Sequence, residues 1–278
     1  MDNIPPAPLP EGYLDFFQSM ESWQNEQTIR LQKTFAHTKH DLVMRLREQK
    51  KPLLSQINPH IDGDLLHGLL DQFLVFLDEN RPSVRALTQQ LRVNLPKLDF
   101  DDLIKFFLVP KESELIGIAK QIEIPGDFFI FALDHALRPV LRIIAESYQA
   151  DLAAADFHWD LPTICPICGA KSHVSRLRQD DGQRMMFCDR CFSEWKTRYL
   201  FCVHCGCDHP NDISYLSVEG QDARRVYVCK RCHGYLKTYD ERTSGHPVDM
   251  FIENISTIYL DMLAQEQGYT NHDQDPLS

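Results

Sequence analysis

The sequence predicts an α+β protein in which an all-helical N-terminal domain precedes two small cysteine-rich β modules in tandem and a C-terminal helix. Apolar residues recur at helical spacing through most of the first 160 residues. Short β-prone runs then alternate with four Cys-x-x-Cys pairs, and the helical period returns after residue 247. The predicted domains are therefore 1–160, 161–200, 201–246 and 247–278.

Prolines separate the predicted helices of the N-terminal domain. A broken apolar stripe predicts that 13–50 is helical, and Pro52 ends this segment because a proline disfavours the helical conformation of its predecessor. The strongest helix is predicted to start at the turn of residues 125–127 and to run to about Tyr148, with a kink at Pro139. Other helices are expected over Asp62 to about Glu79, Ser83 to about Leu91, 103–108 and 112–121.

Adjacent acidic and histidine residues are the nearest approach to a catalytic pattern. Asp134 and His135 lie on the long helix, where neighbouring positions do not share a face. We therefore expect this pair to be an ordinary surface feature, as are Asp101-Asp102 and Asp180-Asp181. The sequence contains no phosphate loop, dinucleotide fingerprint, G-x-S-x-G or H-E-x-x-H motif, so no enzyme is predicted.

The C-terminal segment has one apolar face from Val248 until Gly268 stops it. About 19 residues at a rise of ~1.5 Å form a single helix of roughly 28 Å. This length allows the helix to pack back against the N-terminal domain. Residues 270–278 are expected to be a polar tail.

Eight of the nine cysteines form four pairs within 68 residues: Cys165/Cys168, Cys188/Cys191, Cys202/Cys205 and Cys229/Cys232. Each Cys-x-x-Cys turn directs two thiolates at one centre, and two turns complete a tetrahedral metal site. The spacing predicts two sites of the rubredoxin-like or zinc-ribbon type, with these eight residues as ligands. Four thiolates suit iron and zinc alike, and they leave no position for a substrate or water.

An internal repeat indicates which pairs share a metal. Residues 184–191 (RMMFCDRC) match 225–232 (RVYVCKRC) at an offset of 41, and 165–169 (CPICG) matches 202–206 (CVHCG) at an offset of 37. The repeat favours sequential pairing, because each copy is then a complete metal module. A crossed arrangement, or one that joins the second pair to the third, also has workable spacing.

Other residues near the pairs are weaker candidates. Gly169 and Gly206 directly follow a pair and supply the backbone freedom of a tight turn. Cys207 could be an alternative ligand or a redox thiol, but such a residue is more often a bystander. Four cysteines per site make further ligands unnecessary, which argues against His204, His209 and His233.

Composition narrows the class of protein. A net charge of −11 argues against a nucleic-acid-binding protein, because phosphate binding needs a basic surface. No apolar run approaches the roughly 20 residues that span a membrane. The N-terminal residues have no basic segment followed by an apolar one, so a cytoplasmic location is expected. Paired cysteines favour metal over disulfide in that compartment.

Five motifs follow one another from residue 165 onward: CPICG at 165–169, FCDRCFSEWKTR at 187–198, CVHCG at 202–206, VCKRCHGYLKT at 228–238 and LDMLAQEQGY at 260–269. With these motifs the sequence resembles the formate dehydrogenase accessory protein family, FdhE. The resemblance covers about 105 residues closely, and the order of its motifs is specific. At Phe192 this chain departs from the family pattern, which has a small or polar residue.

The resemblance implies a cytoplasmic maturation factor that contacts the molybdenum-containing catalytic subunit of formate dehydrogenase. It implies rubredoxin-like modules able to bind iron, and it carries over only the eight paired cysteines as metal ligands. A rubredoxin-like electron carrier for the same partner and a zinc-ribbon nucleic-acid binder are the alternatives, and a homodimer is left open. Candidates for partner contact follow the cysteine pairs, although core packing is the better expectation for the two aromatic ones: Glu194, Trp195, Arg198 and Tyr235.

Overall fold

The computed structural model describes residues 9–108, 111–154 and 159–273, and its fold has the predicted class. A helical N-terminal part is followed by a β-sheet region that carries two clusters of four cysteines. Helices return at the C-terminal end. Predictions that concern residues 1–8, 109–110, 155–158 and 274–278 lie outside the described residues.

The helices of the N-terminal part pack around one long helix, α7. Helices α1, α2, α3 and α6 all contact it, and it continues through Pro139. Its fully buried side chains include Phe129, Leu133, Val140 and Tyr148, which follow the predicted helical stripe. The bounds are α1 (Tyr13–Leu31), α2 (Leu42–Gln49), α3 (Gly63–Asn80), α4 (Arg85–Asn94), α5 (Phe100–Leu108), α6 (Glu112–Gln121) and α7 (Gly126–Ala154).

The segment 13–50 differs from its prediction, because residues 32–41 leave the helical conformation between α1 and α2. Asp41 starts α2 by accepting a hydrogen bond from the backbone N–H of Met44. The backbone N–H of His40 donates to the Tyr148 hydroxyl of α7 at 2.9 Å. This contact draws the connecting segment onto α7, which helical periodicity cannot show.

The β region is one six-stranded sheet of order β3-β2-β1-β6-β5-β4. Each predicted module supplies an antiparallel three-stranded meander, and the predicted strands that lead into cysteine pairs are β2 and β5. The bounds are β1 (Val174–Leu177), β2 (Arg184–Phe187), β3 (Glu194–Thr197), β4 (Ile213–Ser217), β5 (Arg224–Cys229) and β6 (Tyr235–Asp240).

Parallel pairing of β1 with β6 joins the two meanders, in register from Val174 opposite Lys237 to Leu177 opposite Asp240. The Ser175 and Thr238 hydroxyls hydrogen bond across this junction at 2.9 Å, and both side chains are buried. The pairing satisfies two edges that would otherwise leave backbone groups unpaired.

The predicted C-terminal helical segment is present, but it is divided into two helices. After α8 (Glu241–Ser244), two helices, α9 (Met250–Ser256) and α10 (Ile258–Glu266), are separated at Thr257. The buried Thr257 hydroxyl donates to the Glu253 carbonyl, and the Lys237 ammonium donates to the Asn254 carbonyl at 2.7 Å. Helix α9 packs against α1 as expected of this segment, whereas α10 packs on β5 and β6.

The predicted polar tail is held in place where the structure describes it. Thr270 forms a backbone bridge with the second module, in which its N–H donates to the His233 carbonyl at 2.7 Å.

Among the described helices, none is both long and apolar enough to cross a bilayer.

Candidate metal centres

The first cysteine group consists of Cys165, Cys168, Cys188 and Cys191, all of them buried. The Sγ atoms of Cys165 and Cys191 are 3.5 Å apart, as are those of Cys168 and Cys188. Metal–sulfur bonds of ~2.3 Å in a tetrahedron place sulfur atoms about 3.8 Å apart. The donor set and spacing therefore fit one tetrahedral metal ion.

The second group consists of Cys202, Cys205, Cys229 and Cys232. Its Sγ separations are 3.5 Å between Cys202 and Cys232 and 3.8 Å between Cys205 and Cys229, so it fits a metal equally well. Cys205 is exposed and Cys232 is partly exposed, in contrast to the fully buried first group. Both groups combine the pairs sequentially, as the repeat favours, rather than in the crossed alternatives.

The backbone of the first turn in each module follows the glycine prediction. Gly169 and Gly206 have φ of 79° and 73°, in the left-handed region that favours glycine. Their N–H groups donate to the carbonyls of Cys165 and Cys202 and close the turns.

The second turn in each module has the same shape without glycine. Phe192 and His233 have φ of 63° and 56°, and the Phe192 N–H donates to the Cys188 carbonyl at 2.8 Å. Both residues directly follow a cysteine pair at equivalent positions of the repeat. The repeat in the sequence thus indicates that the two positions share one backbone conformation, which is strained for residues other than glycine.

An ion-pair cluster anchors the first group to α7. Arg190 lies between two of the ligand cysteines, and its Nε donates to Asp134 at 2.6 Å. Arg138 also binds Asp134, and it donates to the Asp189 carbonyl at 3.0 Å. Burial raises the pKa of Asp134, but the two guanidinium groups outweigh it and hold that pKa below its ordinary value.

Asp134 and His135 therefore contradict the prediction that they form a surface pair. His135 is buried on the side of α7 that faces α1, where its Nδ1 lies 3.0 Å from Gln24 Nε2. The prediction is confirmed for the other two pairs, in which Asp102 bonds to Lys105 and Asp181 to Arg178 near the surface.

A second buried arginine lies beside the first group. Arg142 forms a two-pronged ion pair with Glu21 and donates to Gln24 Oε1 at 2.6 Å. Its guanidinium carbon lies 3.7 Å from the centre of the Phe192 ring. Phe192, the departure from the family pattern, thus links the metal turn to the helical part through a cation–π contact.

The additional donors near the second group are bystanders in this geometry. Cys207 is buried against Cys202 and Cys229, with its Sγ 3.7 Å from an Asp212 carboxylate oxygen. His204 Nε2 hydrogen bonds to the Tyr235 carbonyl at 2.9 Å. Within the described residues, the four-thiol groups include none of Cys207, His204, His209 and His233.

The aromatic and the charged candidates for partner contact lie in different environments. Trp195 and Tyr235 are buried, which confirms the core-packing prediction. Glu194 is half-buried and forms an ion pair with Arg176. Arg198 is exposed and pairs with Asp208 at 2.9 Å.

Three comparisons relate this fold and these sites to known proteins. Residues 200–277 match the family model described as FdhE, C-terminal domain. "Protein FdhE homolog" of Aquifex aeolicus is 30% identical over 223 residues, which cover 70% of this chain and 77% of that protein. A Klebsiella pneumoniae protein of the same name is 25% identical over 253 residues, which cover 85% of this chain and 75% of that protein.

The fold also occurs in the crystal structure of the FdhE protein from Pseudomonas aeruginosa. The two structures share a TM-score of 0.54 at 20% sequence identity, and the alignment covers 96% of each chain. The similarity of fold therefore spans the helical part as well as the sheet. The extended match to the Aquifex aeolicus protein shows that the chain belongs to the FdhE family.

Proposed function

We propose that this chain is a non-enzymatic accessory factor that binds the catalytic subunit of formate dehydrogenase and assists its assembly into active enzyme. The observation that carries the proposal is that each metal centre has four protein thiols. A tetrahedral site with four thiolates has no position left for a substrate, so the centres suit a scaffold better than a reaction. Membership of the FdhE family supports the choice of partner.

The eight paired cysteines are proposed to hold two metal ions, iron or zinc, one in each group. Bound zinc would supply a cross-link only, whereas bound iron would add one-electron chemistry. The protein stabilises the sulfur atoms by hydrogen bonds, such as those from the Cys168 N–H to Cys165 Sγ and from the Gly234 N–H to Cys232 Sγ. We also propose that the chain is divided into domains at 1–160, 161–200, 201–246 and 247–278, and that the protein is located in the cytoplasm.

A rubredoxin-like electron carrier for the same partner is the second candidate. The exposure of Cys205 favours it, because an exposed ligand brings an iron centre within reach of a redox partner. Visible absorption and metal analysis of protein purified without oxygen distinguish the two candidates. A colourless zinc protein that still supports formate dehydrogenase activity in cells would exclude the redox role.

Affinity capture from the native host tests the proposal directly. The tagged chain is expected to enrich a catalytic subunit of formate dehydrogenase, and deletion of the gene is expected to lower that enzyme's activity without lowering the amount of its messenger RNA. Capture that enriches no formate dehydrogenase subunit would contradict the maturation role. Recovery of DNA or RNA with steep salt dependence would instead support the nucleic-acid-binding alternative.

A further inference from the structure

A groove of about 460 Å³ lies between α5, α6, α7 and the first metal centre. Its apolar lining consists of Phe106, Phe107, Leu115, Ile130, Phe131 and Ala170. His135 and Arg190 also line it. Apolar pockets of roughly this size with a few convergent polar groups are the usual form of a binding site. We call this feature the α5–α7 groove.

His135 offers the α5–α7 groove a hydrogen-bond donor. The Gln24 side-chain oxygen accepts from Arg142, which fixes the amide orientation and turns Gln24 Nε2 towards His135 Nδ1. Nδ1 is therefore the acceptor, and the proton of the neutral ring is on Nε2. In the described parts of the chain, this Nε2–H has no hydrogen-bond partner.

Arg190 offers two further donor groups. Only its Nε is used by Asp134, and its terminal nitrogens have no partner among residues 9–108, 111–154 and 159–273. The guanidinium carbon lies 4.8 Å from the centre of the Phe107 ring. This cation–π contact fixes the orientation of the guanidinium group. The Asp134 carboxylate is shared with Arg138, which leaves this cluster with a net charge of about +1.

We propose that the α5–α7 groove binds a segment of a partner polypeptide that places an aromatic or aliphatic side chain beside a carboxylate. The carboxylate accepts hydrogen bonds from the Arg190 terminal nitrogens and His135 Nε2, and the apolar side chain packs on the phenylalanine wall. Lys111, Glu112 and Asp127 also line the groove, so its three cationic and three anionic side chains nearly balance. The two acidic residues would repel a polyanion, and a single carboxylate beside the free nitrogens of Arg190 fits best. The choice of a polypeptide rests on the proposed accessory function.

Because Arg190 lies between ligands Cys188 and Cys191, the groove takes part of its binding surface from a metal turn. The first metal centre would therefore hold the groove in its binding shape. This gives the buried centre a role in partner recognition without any direct contact between metal and partner.

The probe for the test is 4-phenylbutyrate, which joins a phenyl ring to a carboxylate, with 4-phenylbutyramide as its uncharged match. Backbone amide NMR of the full, metal-loaded chain is expected to show shifts at 103–108, 112–118, 130–138 and 188–191. The amide should bind about tenfold more weakly, because a charge-assisted hydrogen bond is lost.

Two variants place the binding in the groove. Ile130→Glu puts a negative charge on the groove wall without touching Asp134, and Arg190→Lys keeps the charge beside Asp134 but removes the planar terminal nitrogens. Each should weaken 4-phenylbutyrate binding about tenfold, and Arg198→Lys, on the exposed surface, should not change it. Absence of shifts in the groove, or equal binding of both probes, would overturn the proposal.

Capture of the formate dehydrogenase subunit separates the groove from the proposed function. If Ile130→Glu captures the subunit as well as the unaltered chain does, the groove proposal fails and the accessory function stands. If the groove binds the probe as predicted but the unaltered chain captures no such subunit, the accessory function fails and the groove remains a carboxylate-binding site.

Discussion

Asp134 and His135 are adjacent on α7 and both line the α5–α7 groove, but they bond to different elements. Asp134 joins the second cysteine turn of the first group through Arg190, 56 residues away, and His135 joins α1 through Gln24, 111 residues away. Helical geometry correctly predicts that the two neighbours do not act as a pair. It cannot predict burial on both faces, because that depends on elements distant in sequence.

Asp134→Asn is expected to lower the free energy of unfolding by about 3–5 kcal/mol, since two largely buried guanidinium groups would lose their shared carboxylate. Urea unfolding followed by circular dichroism measures the change. The matched control is Asp181→Asn, which removes an exposed ion pair and should cost at most about 1 kcal/mol. Equal effects of the two substitutions would show that the ion-pair cluster does not anchor the metal turn.

His135 predicts a pH dependence of stability. Burial lowers the pKa of His135 well below its ordinary value of about 6.5, so below that pH the unfolded chain binds a proton that the folded chain excludes. Stability is therefore full above about pH 6.5 and falls as the pH is lowered, by up to about 1.4 kcal/mol per pH unit for this group.

The variant His135→Asn isolates this contribution, because the asparagine oxygen can accept from Gln24 in place of Nδ1 and does not titrate. Urea unfolding at about pH 7.5 and about pH 5.5 should show a smaller loss for the variant than for the unaltered chain. The comparison cancels the acid sensitivity of the metal centres, which both proteins share. Identical losses would mean that His135 is protonated in the folded state.

At the level of elements, local signals in the sequence predict α3, α6, β2 and β5 closely, because their caps, prolines and periodicity are local. The break at Thr257 escapes prediction, since the apolar face of 248–268 continues across it. The helix is divided where Lys237, a buried residue of β6, donates a hydrogen bond from its ammonium to a helix carbonyl. A partner from a distant strand has no signature in the local sequence.

Lys237→Met tests that account of the C-terminal helices. The ammonium of Lys237 bonds to the Asn254 carbonyl of α9 and to the Asp261 carboxylate of α10, each at 2.7 Å, and the side chain is 4% exposed. Its loss should cost about 2 kcal/mol of stability and make α10 more sensitive to limited proteolysis. Lys230→Met, which removes an exposed lysine that also bonds to a carbonyl, is the control. Unchanged proteolysis would contradict the role assigned to Lys237.

For the molecule as a whole, the internal repeat predicts that the cysteine pairs group sequentially, and the structure brings their side chains together in that way. It does not predict the parallel β1–β6 junction, which joins residues more than 60 positions apart through strand edges. Nor does it predict that one centre is buried and the other partly exposed. The two modules have similar sequences, and the difference arises because the helical part packs against the first of them, as in the contact of α7 with β3.

That cover is extensive around the first centre. The Leu53 and Leu54 N–H groups donate to the carbonyls of residues 166 and 167 inside its first turn. Gln149 of α7 forms two hydrogen bonds, each 3.1 Å, with the backbone of Glu194 in β3. A metal ion in the first group therefore stabilises the joint between the helices and the sheet, whereas one in the second group stabilises mainly its own module.

Single substitutions in the two centres test this asymmetry. Cys188→Ala and Cys229→Ala occupy equivalent positions of the repeat, both are buried, and each should remove one metal equivalent from the purified protein. Cys188→Ala is expected to lower the melting temperature more, because it also loosens Arg190, Asp134 and the contact between α7 and β3. Thermal unfolding and near-ultraviolet circular dichroism, with metal content measured on the same samples, provide the readout. An equal or larger effect of Cys229→Ala would mean that the helical part does not depend on the first metal centre for its attachment to the sheet.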